Sequence, residues 1–185
     1  HCCLINSGNF FIKCCQGNKT TMTTVFIDMD GVVADFDGYA ERTLGIKSKP
    51  GIRFDQEDWY RLRDHSNRIY SILPVLPNAY SLVSGLKQLR DQYGFDMRFL
   101  TAVPKENDLG WAFWDKMEWA CKHFPGIPVW FGPYSVDKHN HCKPGDILID
   151  DRPSNIEEWP GHAIHYQGDH QLTLNTVEKI FKDKN

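Results

Sequence analysis

The sequence has no long apolar run and no surplus of basic residues, and each absence excludes a class of protein. None of its apolar runs approaches the roughly 18 residues of a membrane-spanning helix. The formal net charge of −3 gives no cationic excess for a nucleic-acid polymer or an anionic membrane. With 41% hydrophobic and 24% charged residues among 185, the chain has the composition of one globular domain, alone or with a small insertion. We therefore expect neither a nucleic-acid polymer nor a membrane as partner.

The cysteines are concentrated at the beginning of the chain. Four of the six lie within the first 15 residues, before Met22 and the first predicted strand. We interpret residues 1–21 as an N-terminal extension that is disordered or non-native, since its paired cysteines lack the CxxC spacing of zinc sites. The alternative is a metal-binding or disulfide-linked tail. Beyond Met22 only Cys121 and Cys142 remain, a usage typical of a reducing compartment, so we predict a cytoplasmic protein.

Short apolar strands alternate with amphipathic helices after Met22. Continuous apolar runs are typical of strands that are buried on both faces of a parallel sheet. The alternation predicts an α/β fold with a Rossmann-like, doubly wound parallel sheet of five strands. The predicted strands are 24–28, 97–101, 127–131, 146–150 and 163–166. The predicted helices are 78–93, 108–124, a short helix that a Ser154–Glu157 capping box begins, and 173–182.

The helix predicted at 108–124 carries an aromatic stripe. Its apolar side chains recur at helical spacing, so we expect them to face the core and not a cofactor. They are Trp111, Trp114, Met117, Cys121 and Phe124.

The stretch from residue 36 to residue 75 interrupts the alternation. It is rich in charged and aromatic residues, and a structureless loop of about 40 residues is implausible in a compact domain. We therefore predict a small, mainly helical cap over residues 36–75, inserted after strand 1. The core domain is then formed by residues 22–35 and 76–185.

Acidic and hydroxyl residues follow the predicted strands at their carboxyl ends. In open α/β sheets these ends meet at one edge, where ligands bind. Converging carboxylates repel one another unless a cation is present, and oxygen ligands without nearby His or Cys favour Mg²⁺ over Zn²⁺. A metal, a lysine and a hydroxyl around a reactive carboxylate fit phosphoryl transfer. The residues are Asp28, Asp30, Thr101, a loop lysine (Lys138 or Lys143), Asp150 and Asp151.

Each of these motifs also has a simpler interpretation when it is taken alone. The DxDG turn begins like an EF-hand loop, but Val32 and Tyr39 occupy the fifth and twelfth positions, where Ca²⁺ ligands are required. An acidic pair after a strand can cap the next helix. As a set, however, unpaired acids at the ends of buried strands are costly without a function, so we favour the functional interpretation.

Four ordered motifs resemble those of the haloacid dehalogenase superfamily of aspartyl phosphatases, and more closely those of the 5'(3')-deoxyribonucleotidases. They are VFIDMDGVVADF, FLTA, a loop lysine and GDILIDDRP, and the similarity extends from about Thr24 to His170. The resemblance implies that strand 1 lies between the strands that end in Thr101 and Asp150. It also implies a Mg²⁺-dependent phosphomonoesterase that acts on a small-molecule substrate, a deoxyribonucleoside monophosphate, and it allows a homodimer.

The resemblance implies a role for each catalytic motif residue. Asp28 attacks phosphorus to form an aspartyl-phosphate, and Asp30 protonates the leaving oxygen and then deprotonates the attacking water. Thr101 donates to a phosphoryl oxygen, and Lys138 neutralises the charge of the transition state. Lys143 stays a rival for the last role, because the segment before the acidic pair is two residues longer than in the family.

The resemblance also implies the metal ligands and the substrate-binding residues. Mg²⁺ is held by the carboxylates of Asp28 and Asp151 and by the backbone carbonyl of Asp30, with Asp150 orienting Lys138 or a metal-bound water. The expected substrate contacts are Phe36, Lys105, Arg152, the backbone of Ala102 (where the family often has Ser), and, for base stacking, Phe54 and Trp59. The two cap aromatics have the alternative role of forming the core of the cap.

Two other functions remain open. The same chemistry serves phosphatases that act on other small phosphates, such as sugar phosphates. A phospho-acceptor domain of the receiver type also combines an Asp, a Thr, a Lys and an acidic pair. The order of the motifs disfavours a receiver, since the DxD motif comes first here and the acidic pair comes last.

Overall fold

The computed structural model describes residues 22–47, 54–65, 68–104 and 111–184. Its five strands form one parallel sheet in the order β3-β2-β1-β4-β5. This confirms the predicted parallel sheet, with β1 between β2 and β4. The strands are β1 (Thr24–Ile27), β2 (Asp96–Thr101), β3 (Val129–Phe131), β4 (Ile147–Asp150) and β5 (His162–His165).

Helices connect the strands in the described part of the chain. The α-helices are α1 (Phe36–Leu44), α2 (Gln56–His65), α3 (Ala79–Tyr93), α4 (Ala112–His123), α5 (Pro153–Glu158) and α6 (His170–Lys182). Short 3₁₀ helices lie at Ile69–Ser71 and Ser135–His141. Among the helices of these ranges, none combines the length and the apolar character that crossing a bilayer requires.

The central strands are buried on both faces of the sheet. All four residues of β1 and all four of β4 are buried. Val25 and Ile27 enter the larger apolar cluster, whereas Phe26 points to the opposite face and packs with Leu100 and Leu148. The continuous apolar runs of the sequence therefore correspond to a sheet covered on two sides, as expected.

Helix α3 agrees closely with its prediction. Its buried side chains, Ala79, Leu82, Val83 and Leu86, recur at helical spacing. Gly94 ends the helix in the left-handed conformation, with φ of 70°, which glycine adopts without steric cost.

Helix α4 presents a different face to the core from the one predicted. Trp114 is 70% exposed, Met117 is 46% exposed and Cys121 is also exposed, so the predicted apolar stripe is wrong for these three residues. Phe124 is buried and Trp111 is partly buried. The residues of α4 that are buried are Ala112, Asp115, Lys116, Trp119 and Ala120.

The ionic partners of two buried α4 side chains explain this orientation. The Asp115 carboxylate pairs with Arg68, and the Lys116 ammonium pairs with Asp30. A buried charge is tolerated when it is paired and hydrogen-bonded. Because both partners lie far away in the sequence, a pattern based on hydrophobicity alone selects the wrong side of this helix.

Two helices begin earlier than predicted. Helix α5 begins at Pro153, the favoured first position for proline, and its preceding residue Arg152 makes no side-chain capping bond in the described structure. The predicted Ser154 capping box is therefore wrong. Helix α6 begins at His170, because the Asp169 side chain accepts from a backbone N–H of the first turn.

Residues 36–75 leave and rejoin the core through adjacent chain segments. The backbone N–H of Asp35 donates to Pro74 O at 2.9 Å, and that of Leu76 donates to Val33 O at 2.9 Å. Between these points, the described ranges contain α1, α2 and the 3₁₀ helix Ile69–Ser71. We refer to residues 36–75 as the cap, in line with the predicted insertion.

The orientation of α4 can be tested with its two tryptophans. Trp119→Ala removes a side chain that is 1% exposed, so we expect it to lower the free energy of unfolding by about 3–5 kcal/mol. Trp114→Ala, on the same helix, should change it by no more than about 0.5 kcal/mol. Urea unfolding followed by circular dichroism measures both. A larger loss for Trp114 would contradict the observed orientation.

Candidate active site

Asp28 lies directly after β1, at the point where the strand order reverses. Its backbone N–H donates to Ile149 O at 2.9 Å, which keeps it in register with β4. Its side chain is buried, and the Met29 N–H donates to Oδ1 at 2.7 Å. Burial disfavours the carboxylate and raises the pKa of Asp28, although nearby Lys138 opposes this effect.

Lys138 lies between Asp28 and Asp150. It belongs to the 3₁₀ helix Ser135–His141, and its buried Nζ is 2.8 Å from Asp28 Oδ1 and 2.7 Å from Asp150 Oδ2. Burial opposes its charge, but the two carboxylates outweigh burial and raise the pKa of Lys138. Lys143 is exposed, and its backbone N–H donates to Asp146. Of the two candidate lysines, the structure brings Lys138 to Asp28.

Asp150 is held from several sides at the end of β4. Besides Lys138, the Asn155 side-chain amide contacts both carboxylate oxygens, at 3.0 and 2.9 Å, and the Arg152 N–H donates to Oδ1 at 2.9 Å. Asn155 was not among the residues selected from the sequence. The only signal for it is its position in the first turn of the helix that follows the acidic pair.

Three carboxylates converge at the carboxyl edge of the sheet. Asp28, Asp150 and Asp151 each offer an oxygen, and these oxygens lie within 4.8 Å of one another. Within the described residues, Asp151 Oδ1 is buried and has no hydrogen-bond partner. Burial, with the charges of Asp28 and Asp150, raises the pKa of Asp151 to about 8. An all-oxygen set that includes one buried oxygen without a partner fits a hard divalent cation.

Gly31 allows the DxDG turn to approach Asp151. Its φ is 80°, and a Cβ at this position would overlap the Asp151 carboxylate. Any side chain here would therefore push the first motif away from the last.

Asp30 is held by a lysine that the sequence analysis missed. Nζ of Lys116 lies 2.5 Å from Asp30 Oδ2 and 3.0 Å from Thr101 Oγ1, and it lies 4.4 Å from the centre of the Tyr70 ring. Both Lys116 and Thr101 are buried. The aromatic pattern of α4 placed Lys116 on the solvent side, so only the three-dimensional structure reveals it.

The predicted substrate aromatics pack around one another in the cap. Phe36 is 5% exposed and stacks on Tyr70 with ring centres 5.4 Å apart. Phe54 and Trp59, both partly buried, lie 5.7 and 5.9 Å from Phe36. In this structure the two residues therefore contribute to the apolar interior of the cap.

The remaining predicted substrate residues flank the acidic cluster or lie outside the structure described. Ala102 follows Thr101 directly and is partly buried. Burial opposes the charge of Arg152, but Asp28 and Asp151 outweigh it and raise the pKa of the guanidinium. Lys105 lies outside the described residues.

The family model and the relatives that match this chain agree with one another. The family model described as "5' nucleotidase, deoxy (Pyrimidine), cytosolic type C protein" matches residues 21–181. A protein of Staphylococcus epidermidis (strain RP62A), named "Putative 5'(3')-deoxyribonucleotidase", is 26% identical over 173 residues. A protein of the same name from Staphylococcus aureus (strain Mu50) is 27% identical over 177 residues. Each match covers 86% of this chain and 91% of the relative.

The assignment of the loop lysine can be tested by substitution. Lys138→Ala removes the cation beside Asp28, so we expect kcat for phosphate release to fall by about 10³-fold or more, to the limit of detection. Lys143→Ala, the matched control, should leave kcat within about twofold. A loss confined to the Lys143 variant would transfer the role to that residue.

Asp151 predicts a pH-dependent stability of the metal-free protein. Its pKa of about 8 lies above the ordinary value of 3.8, so the folded chain binds this proton more tightly than the unfolded chain. The resulting stabilisation is complete below a pH of about 4 and is lost as the pH rises through about 8. In EDTA, we expect the Tm of the wild type to fall more steeply across this range than that of Asp151→Asn.

The wild type and Asp151→Asn also test the cation site. Added Mg²⁺ should raise the Tm of the wild type most at the alkaline end of the range, where Asp151 loses its proton. Asp151→Asn should respond far less. Equal pH profiles and equal Mg²⁺ responses in the two proteins would contradict the site.

Proposed function

Because the chain belongs to the family of deoxy (pyrimidine) 5' nucleotidases of cytosolic type C, we propose that it hydrolyses deoxyribonucleoside 5'(3')-monophosphates in a Mg²⁺-dependent reaction. The family is part of the haloacid dehalogenase superfamily, which confirms the resemblance of the sequence motifs. The chain is a phosphoric monoester hydrolase. The observation that carries the proposal is the buried Asp28–Lys138–Asp150 arrangement at the switch point of the sheet.

Asp28 acts as the nucleophile in this proposal. A carboxylate oxygen forms a bond to phosphorus while the bond to the nucleoside oxygen breaks, which gives an aspartyl-phosphate and free nucleoside. Water then cleaves the intermediate, and phosphate leaves. Lys138, fixed by its two carboxylate contacts, supplies a cation that is already oriented when negative charge develops on the phosphoryl group.

Asp30 and Thr101 complete the residues that contact the reacting group. Asp30 gives a proton to the leaving nucleoside oxygen and takes one from the attacking water. Thr101, at the carboxyl end of β2, donates its hydroxyl proton to a phosphoryl oxygen. Without an oriented donor and acceptor, the poor alkoxide leaving group would limit the rate.

Mg²⁺ would be held by the carboxylates of Asp28 and Asp151 and by the backbone carbonyl of Asp30. When bound, it neutralises charge on the phosphoryl group and on the carboxylates. The orphaned Asp151 oxygen and the all-oxygen donor set support this assignment. Asp150, held by Asn155, keeps Lys138 in place beside the metal ligands.

The cap supplies the contacts to the nucleoside in this proposal. Phe36 gives an apolar wall, with Phe54 and Trp59 packed behind it. Arg152, Lys105 and the Ala102 backbone contact the phosphate or the sugar. The names of the staphylococcal relatives support a deoxyribonucleotide as substrate.

We place the reaction in the cytoplasm. Among the described residues, Cys121 and Cys142 are both free thiols, which is typical of a reducing compartment.

A panel of monophosphates tests the proposed function. With Mg²⁺, we expect phosphate release from dUMP, dTMP and dGMP to exceed that from their ribose counterparts and from sugar phosphates. The activity should disappear in EDTA and in Asp28→Asn. Turnover of sugar phosphates alone would support the phosphomonoesterase reaction and would contradict deoxyribonucleotides as the substrates. Stable phosphorylation of Asp28 without turnover would instead favour a phospho-acceptor domain.

A further inference from the structure

Lys116 contacts side chains of the candidate active site, although neither the family match nor the four motifs give this residue a role. It lies on α4, between the cap and the sheet, and it is 1% exposed. A lysine ammonium has three N–H donors and no acceptor. Among the described residues, its ammonium contacts Asp30 Oδ2, Thr101 Oγ1 and the face of the Tyr70 ring. Two of its donors are used by Asp30 and Thr101, and the ammonium also faces the Tyr70 ring, so Lys116 is arranged to hold other side chains and not to bind the phosphate.

We propose that Lys116 is a positioning residue, which fixes the oxygen through which Asp30 exchanges its proton and the direction in which the Thr101 hydroxyl donates. The proposal rests on the proposed function. It adds a residue that acts through Asp30 and Thr101 and does not itself touch the substrate.

The first part of the proposal follows from the two oxygens of Asp30. Lys116 holds Oδ2 at 2.5 Å. Within the described part of the chain, Oδ1 is buried and has no hydrogen-bond partner. The oxygen that Lys116 holds has a fixed donor, so Oδ1 is the atom left to exchange a proton with the leaving group.

In both steps of the reaction, the proton is exchanged through Asp30 Oδ1. As the Asp28–phosphorus bond forms, the phosphorus–oxygen bond to the nucleoside breaks, and its electron pair goes to the nucleoside oxygen. That oxygen takes the proton from Asp30 Oδ1. In the second step, water bonds to phosphorus, the electron pair of the Asp28–phosphorus bond returns to the Asp28 carboxylate, and the water proton goes to Oδ1.

The second part of the proposal follows from the chemistry of the ammonium group. Lys116 cannot accept a hydrogen bond, so Thr101 Oγ1 must be the acceptor in their 3.0 Å contact. The hydroxyl proton of Thr101 therefore points away from Lys116. It is available to a phosphoryl oxygen, which is the role proposed for Thr101.

Leaving-group dependence tests the role of Lys116. A nucleoside alkoxide needs a proton to leave, whereas p-nitrophenolate does not. In the first step, hydrolysis of dUMP therefore depends on the position of Asp30 Oδ1, and hydrolysis of p-nitrophenyl phosphate does not. In Lys116→Met, we expect the first-turnover rate on dUMP to fall by about 10²-fold or more. With p-nitrophenyl phosphate it should fall by less than about tenfold. A burst of p-nitrophenolate should then appear, since cleavage of the aspartyl-phosphate still needs Asp30. KM for dUMP should change by less than about threefold.

Controls separate a positioning role from a structural one. Lys122→Met, an exposed lysine on the same helix, should leave all rates within about twofold. In the Asp30→Asn background, removal of Lys116 should lower the first-turnover rate on dUMP by less than about tenfold, since only the Thr101 hydroxyl remains for it to orient. Circular dichroism checks the fold of each variant. If Lys116→Met does not fold, Lys116→Gln, which keeps a donor for Asp30, is measured in the same comparison.

Several outcomes would overturn the proposal. Equal losses on both substrates would show that Lys116 acts only through the phosphoryl group or the fold and does not position Asp30. Wild-type rates in Lys116→Met, or full additivity with Asp30→Asn, would show that it does not position Asp30. A wild type that hydrolyses p-nitrophenyl phosphate but no deoxynucleotide would overturn the proposed function alone. Glycerol phosphate would then replace dUMP as the alkyl substrate in the same comparison.

Discussion

The buried ammonium of Lys138, shared between Asp28 and Asp150, is the interaction on which the site depends. Two carboxylates at the ends of adjacent strands would repel each other inside the protein, and burial alone would favour their protonation. One cation within 2.8 Å of both compensates much of that charge. Among the described residues, no cation forms an ion pair with Asp151, and burial together with the charges of Asp28 and Asp150 raises its pKa. The arrangement therefore leaves one acid in need of an external cation, which is the condition for binding a metal.

The inner face of α4 connects this site to the cap. Asp115 pairs with Arg68, which precedes the 3₁₀ helix of the cap, while the next residue, Lys116, contacts Asp30 in the core. Tyr70 of the cap lies over the same ammonium. Buried charges require specific partners, whereas apolar side chains tolerate many neighbours. The orientation of α4 is therefore determined by its ion pairs more than by its aromatic residues.

Much of the site could be predicted because parallel strands end at one edge of the sheet. Asp28, Thr101 and Asp150 each follow an apolar run, so their positions could be inferred once the alternation was recognised. Lys138 and Lys143 could not be separated by spacing alone, since the loop between β3 and β4 has no periodicity. The 3₁₀ helix brings Lys138, and not Lys143, to Asp28. Lys116 could not be predicted. Its helix carries a convincing apolar stripe, and the partners that stabilise the opposite face come from residues far away in the sequence.

The paired backbone segments at the base of the cap have an evolutionary consequence. Because Asp35 bonds to Pro74 and Leu76 bonds to Val33, the inserted segment begins and ends at neighbouring positions. The sheet therefore imposes no particular length on what lies between them, and the cost of closing a longer loop grows only slowly with its length. During evolution, this segment can become longer or shorter or be replaced, while β1 and the turn after it keep their position in the sheet. The fold thus allows the cap to change without disturbing the strand that positions Asp28.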